Sequence, residues 1–91
     1  MIIKPIKFDT SFFFKNKSLE YCFYLLMMDG FERSARLGIT KRHYYNEDIA
    51  VEWHSTVIDN ILSDRDPKYD YLRTAAMDKC NQMYMRMVGE I

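Results

Sequence analysis

Residues 66–88 read DPKYDYLRTAAMDKCNQMYMRMV, and this stretch decides the fold. Asp66 can cap exposed N–H groups at a helix start. Pro67 loses nothing at the first helical position, where its missing N–H would have no partner. Beyond it Tyr69, Leu72, Ala76, Cys80, Met83 and Met87 recur every three or four residues, one stripe down a helix. Lys68, Asp70, Asp78, Gln82, Arg86 and Glu90 lie mostly off that stripe, and Gly89 marks an end. The spacing predicts a helix over 67–88.

The segment before it has the same character. Tyr45, Ile49, Trp53, Val57 and Ile61 recur every four residues, Ala50, Ile58 and Leu62 widen the face, and Thr40 can cap. A helix over 41–62 follows. Ser63-Asp64-Arg65-Asp66 separates the two, and helices of about 22 residues, each about 33 Å long, must lie antiparallel across so short a loop. Further upstream Ser18 caps a third helix over 18–28, through Leu19, Cys22, Phe23, Leu25, Leu26 and Met27. It is apolar nearly all round, so it is expected to be the most buried element. Its end stays open. Either Asp29-Gly30 terminates it, or the period of Leu26, Gly30, Arg33 or Ser34, and Leu37 carries it to a Gly38 cap.

The first residues differ. Ile2, Ile6 and Phe8 alternate with Pro5, Lys7 and Asp9 as a strand would, but no second strand exists to pair with it. Residues 1–17 are therefore read as an extended N-terminal arm ahead of one helical domain, 18–91. The expected fold is all-α: a small three-helix domain built on a long antiparallel helical hairpin.

Composition limits what such a domain does. In 91 residues, 13 Lys and Arg balance 13 Asp and Glu, which excludes a basic nucleic-acid sleeve and an acidic DNA mimic, and the length excludes a large two-domain enzyme. The zero is a sum of unlike halves. Residues 1–46 hold eight basic and four acidic side chains, whereas residues 47–91 hold five and nine. A dipolar surface able to steer a charged partner is compatible with neutrality. Cys22 and Cys80 are too few and too far apart for a secreted disulfide scaffold. The apolar run Tyr21–Met28 is too short for a membrane span. A cytoplasmic protein with no membrane partner is expected.

Site chemistry is sparse. His43 and His54 stand eleven apart with no ligand pair at zinc spacing. Asp64-x-Asp66-x-Lys68-x-Asp70 fails as a calcium loop, because Lys68 takes a ligand position, Tyr69 the turn glycine's and Ala75 the bidentate glutamate's. His54 and Ser55 are helix neighbours that point about 100° apart. The thiols lie on apolar stripes, and the three glycines are isolated. No catalytic residue, metal or cofactor is expected.

One stretch, Phe31 to Tyr45, resembles a helix-turn-helix: a short helix to Leu37, a turn at Gly38, Ile39 in the core and Thr40 capping the next helix. Leu37-Gly38-Ile39-Thr40 followed by Tyr44-Tyr45 is similar to the turn of phage late-gene and sigma-region-4-like regulators, over residues 31–52. The resemblance implies Lys41, Arg42, His43 and Asn46 facing a DNA groove, with Arg33 and Arg36 on phosphate. Arg33, however, stands where such motifs place an apolar core residue, and Glu47, Asp48 and Glu52 oppose phosphate binding.

The remaining apolar residues suggest protein contacts. Phe12, Phe13 and Phe14 cannot all be buried on one face, and Tyr71, Met77, Tyr84 and Met85 fall off the main stripe of the last helix. Phe12, Phe13, Phe14, Tyr71, Tyr84 and Met85 are the expected partner contacts. The leading expectation is a non-catalytic regulator or inhibitor docking onto a larger protein or protein–nucleic acid complex. A helix-turn-helix transcription regulator is the alternative, and a homo-oligomeric structural or sequestering protein the third.

Overall fold

The computed structural model describes residues 11–89. Four α-helices make the domain: α1 (Lys17–Leu26), α2 (Gly30–Leu37), α3 (Glu47–Ile61) and α4 (Asp70–Met87). Short 3-10 turns at Ser11–Phe14, Lys41–Tyr44 and Pro67–Tyr69 precede α1, α3 and α4. The domain is all-α, with no strand among the described residues, and α1 packs against both α3 and α4, which also pack on each other. Their facing stripes meet in one core containing Cys22, Leu25, Trp53, Val57, Ile61, Ala76, Cys80, Met83 and Met87.

Several boundaries differ from expectation. The predicted 18–28 helix begins at Lys17, because Asn16 rather than Ser18 caps it: the Asn16 side chain accepts the Leu19 N–H at 2.9 Å. Ser18 lies inside the helix, fully buried, and its hydroxyl donates to the Ile61 carbonyl, tying α1 to the end of α3. The open question near Gly30 resolves as a break. Gly30 sits at φ 55°, a left-handed conformation in which a Cβ is strained, so the chain turns there and starts a separate α2. Among the described residues the domain has four α-helices, not three.

The predicted 41–62 helix starts at Glu47. Thr40 caps a single 3-10 turn instead, and the His43 side chain accepts the Thr40 N–H at 2.9 Å to close a capping box. Asn46, in extended conformation, then accepts the Ile49 N–H and opens α3. The last helix is close to expectation, with Pro67–Tyr69 as a 3-10 turn ahead of Asp70.

The arm is corrected in part. Residues 1–10, with the predicted strand, lie outside the described residues. Ser11–Phe14 coil into a turn rather than extending, and Phe13 enters the core.

At the α3–α4 corner the bundle also buries a cation. Arg73 sits on the inner side of α4, where it donates to Asp64 at 3.3 Å, to Asp70 at 2.6 Å and to the Asp66 carbonyl. A buried guanidinium is tolerated only when its donors are so paired.

Candidate docking surface

Residues 27–46 form a limb beside the bundle. α1 is the one helix against which α2 packs extensively. Leu37 is buried, Ile39 packs at the core margin, and the Trp53 indole N–H donates to the Leu37 carbonyl at 3.0 Å. Gly38, at φ 70°, ends α2: Ile39 N–H returns to Ser34 O at 2.8 Å and Gly38 N–H to Ala35 O at 3.4 Å, a pairing that needs the left-handed residue between them.

The following turn is anchored from inside. His43 is buried, edge-on to Trp53 with ring centroids 6.4 Å apart, and its Nδ1 is occupied by the cap. With that side chain held inward, Lys41, Arg42, Tyr44 and Tyr45 point outward, Tyr44 at 51% and Tyr45 at 85% exposure. On α2, Phe31 is 88% exposed. It lines an open groove of about 430 Å³ with Met28, Glu32, Ala35 and Arg36. A second hollow of about 410 Å³ lies between the end of α1, Arg33 and Lys79.

The residues expected to face DNA are thus divided. Arg36, Lys41 and Arg42 are exposed on the limb. His43 is turned inward instead, its ring buried edge-on to Trp53. Asn46 is exposed, but its side-chain Oδ1 accepts the Ile49 N–H and so caps α3. Arg33 is half-buried, its Nε enclosed and without a hydrogen-bond partner.

The expected protein contacts are divided as well. Phe12 and Phe13 are covered by the chain itself: Phe12 stacks on Tyr69, rings 4° from parallel, and on Phe13, whose ring also meets Phe23. Only Phe14 of the triplet is exposed, leaning on Phe23. Tyr84 is half-buried against His54, with centroids 4.6 Å apart, and His54 Nε2 lies 2.6 Å from Asn81 Oδ1. Tyr71 and Met85 are exposed, but fourteen residues of helix put them about 21 Å apart, so they make no single patch.

Phe31, Tyr44 and Tyr45 were not among the expected contacts. Their one sequence signal is that Phe31 falls off the Leu26–Gly30–Leu37 period, and a tyrosine pair beside two cations suits a surface better than a core.

Burial pushes the Cys22 thiol up to about 11, with the nearby Arg73 charge pulling slightly the other way, and the Cys80 thiol up to about 12. Neither is a ready nucleophile. Among the described residues no group of His, Cys, Asp or Glu is placed to hold a metal ion, and no helix is long and apolar enough to cross a membrane. Compared with protein-family models, with curated proteins and with solved structures, the chain finds no match.

Proposed function

We propose that the chain is a small regulatory or inhibitory protein that works by docking onto a larger macromolecular complex, with the Lys41–Tyr45 turn as its point of contact. One observation carries the reading: buried His43 anchors a five-residue turn through its capping box while two tyrosines and two cations project from it. Tyrosine supplies contact area with few rotatable bonds, and such aromatic anchors beside charge are typical of interface centres. The cations favour an acidic partner surface.

Photo-crosslinking tests this. A benzophenone side chain replacing Tyr45 should trap one discrete partner in cells, whereas the same group replacing Asp59, exposed on α3, should not. Equal labelling from both positions, or none from Tyr45, removes the reading.

A DNA-binding function is the second reading. It is favoured by the separate α2, the left-handed Gly38 and Ile39 at the core margin, as the helix-turn-helix resemblance implies. Against it, nine residues rather than the usual three or four separate α2 from α3, and α3 opens with Glu47 and Asp48. DNA binding through Arg36, Lys41 and Arg42 would weaken steeply with salt; no mobility shift at about 50 mM salt, where even non-specific binders score, excludes it.

A further inference from the structure

The outer face of α2 is self-complementary. Phe31 and Ala35, four residues apart, make one row along the helix. Glu32 and Arg36, also four apart, make the neighbouring row. All four line the same open groove, so both rows look out of it together. The first row runs from a large side chain to a small one, the second from an acid to a base.

We propose that the chain self-associates as a two-fold dimer by antiparallel pairing of α2 with α2 of a second copy. A two-fold axis perpendicular to α2, passing between residues 33 and 34, reverses the helix direction while keeping each row opposite its own equivalent. Phe31 then meets Ala35 of the second copy and Glu32 meets Arg36, each twice, as an isologous interface requires. Parallel pairing fails, because its two-fold axis runs along the helices and exchanges the rows, setting Phe31 against Glu32 and Ala35 against Arg36 with no ion pair formed. The same rows thus select both the occupant and its direction. A phenylalanine 88% exposed gains a seat over a small residue, and the two ion pairs fix the register.

The contact is small. Eight residues make about 12 Å of helix, so the buried area falls below the roughly 800 Å² per partner of a standard interface. A dissociation constant on the order of 10–100 µM is expected. The dimer goes beyond the docking function: it presents two Lys41–Tyr45 turns related by symmetry, yet neither property needs the other.

Sedimentation equilibrium of the purified chain, from about 5 µM to about 1 mM so as to bracket that constant, tests the dimer without any partner. The weight-average mass should rise from 11.0 kDa towards twice that value. Phe31→Ser should hold it at the monomer mass. Glu32→Arg alone, or Arg36→Glu alone, sets like charges together at both ends and should weaken association at least about tenfold. An equimolar mixture of those two variants should restore it, because one chain then offers only bases and the other only acids. These positions are exposed or groove-lining, and a helical circular dichroism signal equal to the parent's shows that the fold is kept. A chain that stays monomeric at the highest concentration overturns the proposal. So do variants that associate like the parent, or a mixture that fails to restore association.

Discussion

The α1–α3–α4 bundle and the limb of residues 27–46 solve opposite problems with similar residues. In the bundle each helix touches the other two, and Cys22, Leu25, Ile61, Ala76 and Cys80 lose essentially all contact with water. Its buried cation is matched on all sides, Arg73 reaching two carboxylates and a carbonyl. The limb buries Leu37 and His43, packs Ile39 at the core margin, and leaves Phe31, Tyr44 and Tyr45 outside. Hydrophobic burial scales with area removed from water, so the bundle holds nearly all the folding energy while the limb is pinned by a few contacts. Stability and display are therefore placed in different parts of one short chain.

The largest predicted effect lies in the bundle. Leu25→Ala opens a cavity at a side chain 1% exposed, and should cost about 3 kcal/mol, a large share of the roughly 5–15 kcal/mol of a natural domain. Thermal unfolding should shift down by well over about 10 °C. A shift of only a degree or two would mean that the core is not close-packed around α1.

The same core sets a pH limit. Both thiols ionise in the unfolded chain near their ordinary 9.0 but stay protonated in the fold to about 11 and about 12. Between those values the unfolded state binds fewer protons, so stability falls as pH rises above 9 and is unaffected by these groups below it. At pH 8 a thiol reagent should label Cys22 and Cys80 only as fast as the bundle unfolds. Fast labelling of either would show that the bundle opens locally.

Next comes the corner that joins α3 to α4. Arg73→Met keeps the side-chain volume but leaves the Asp66 carbonyl without its donor and frees two carboxylates. Loss of one member of a fully buried pair costs about 3–5 kcal/mol. Here Asp70 is 66% and Asp64 31% exposed, so about 2 kcal/mol is expected once that solvation is allowed for. Chemical denaturation measures it, and an unchanged midpoint would show that the network contributes no net stability.

The bundle was legible in the sequence because burial on helices repeats. Tyr69, Ala76, Cys80, Met83 and Met87 of the α4 stripe are buried as their spacing implies, and so are Trp53, Val57 and Ile61 on α3, whereas Leu72 and Ile49 of the same stripes are only half-buried. Boundaries were less legible where two good capping residues compete. Asn16 and Ser18 can each cap α1, and the choice turns on the Ser18 bond to Ile61, forty-three residues away. Thr40 and Asn46 compete in the same way, so Tyr45, which continues the four-residue period of α3, lies outside the helix and in water. Arg73 falls on the α4 stripe, four residues after Tyr69 and three before Ala76, but its charge masked the signal, and two of its three partners belong to the preceding loop. The candidate site was the least legible part: Phe12 and Phe31 are the same residue type, and only the fold shows which one finds a neighbour.

The seam between the two regions should respond more mildly. Trp53→Phe removes the indole N–H that holds the Leu37 carbonyl, and losing one buried hydrogen bond costs about 1 kcal/mol. The loss should be local. Amide exchange should quicken at Gly38, Ile39 and His43, whose N–H groups close the limb's turns, while α1 and α4 keep their protection. Uniform acceleration would instead make limb and bundle one cooperative unit.

Removing the displayed rings should have the smallest effect on stability. Tyr45→Ser or Phe31→Ser leaves no cavity, because each ring is more than four-fifths exposed, and neither strands a buried polar group. The Tyr45 N–H to Arg42 carbonyl bond is made by backbone and survives the change. Surface substitutions of this kind fall within about 0.5 kcal/mol of zero, so the melting temperature should stay within about 4 °C of the parent's, measured at a dilution where the chain is monomeric. A larger drop at either position would mean that the ring is packed in the monomer, placing it with the bundle. Retained stability in Tyr45→Ser with crosslinking from a probe at Tyr44 lost, or association lost in Phe31→Ser, would instead separate what the limb displays from what keeps the chain folded.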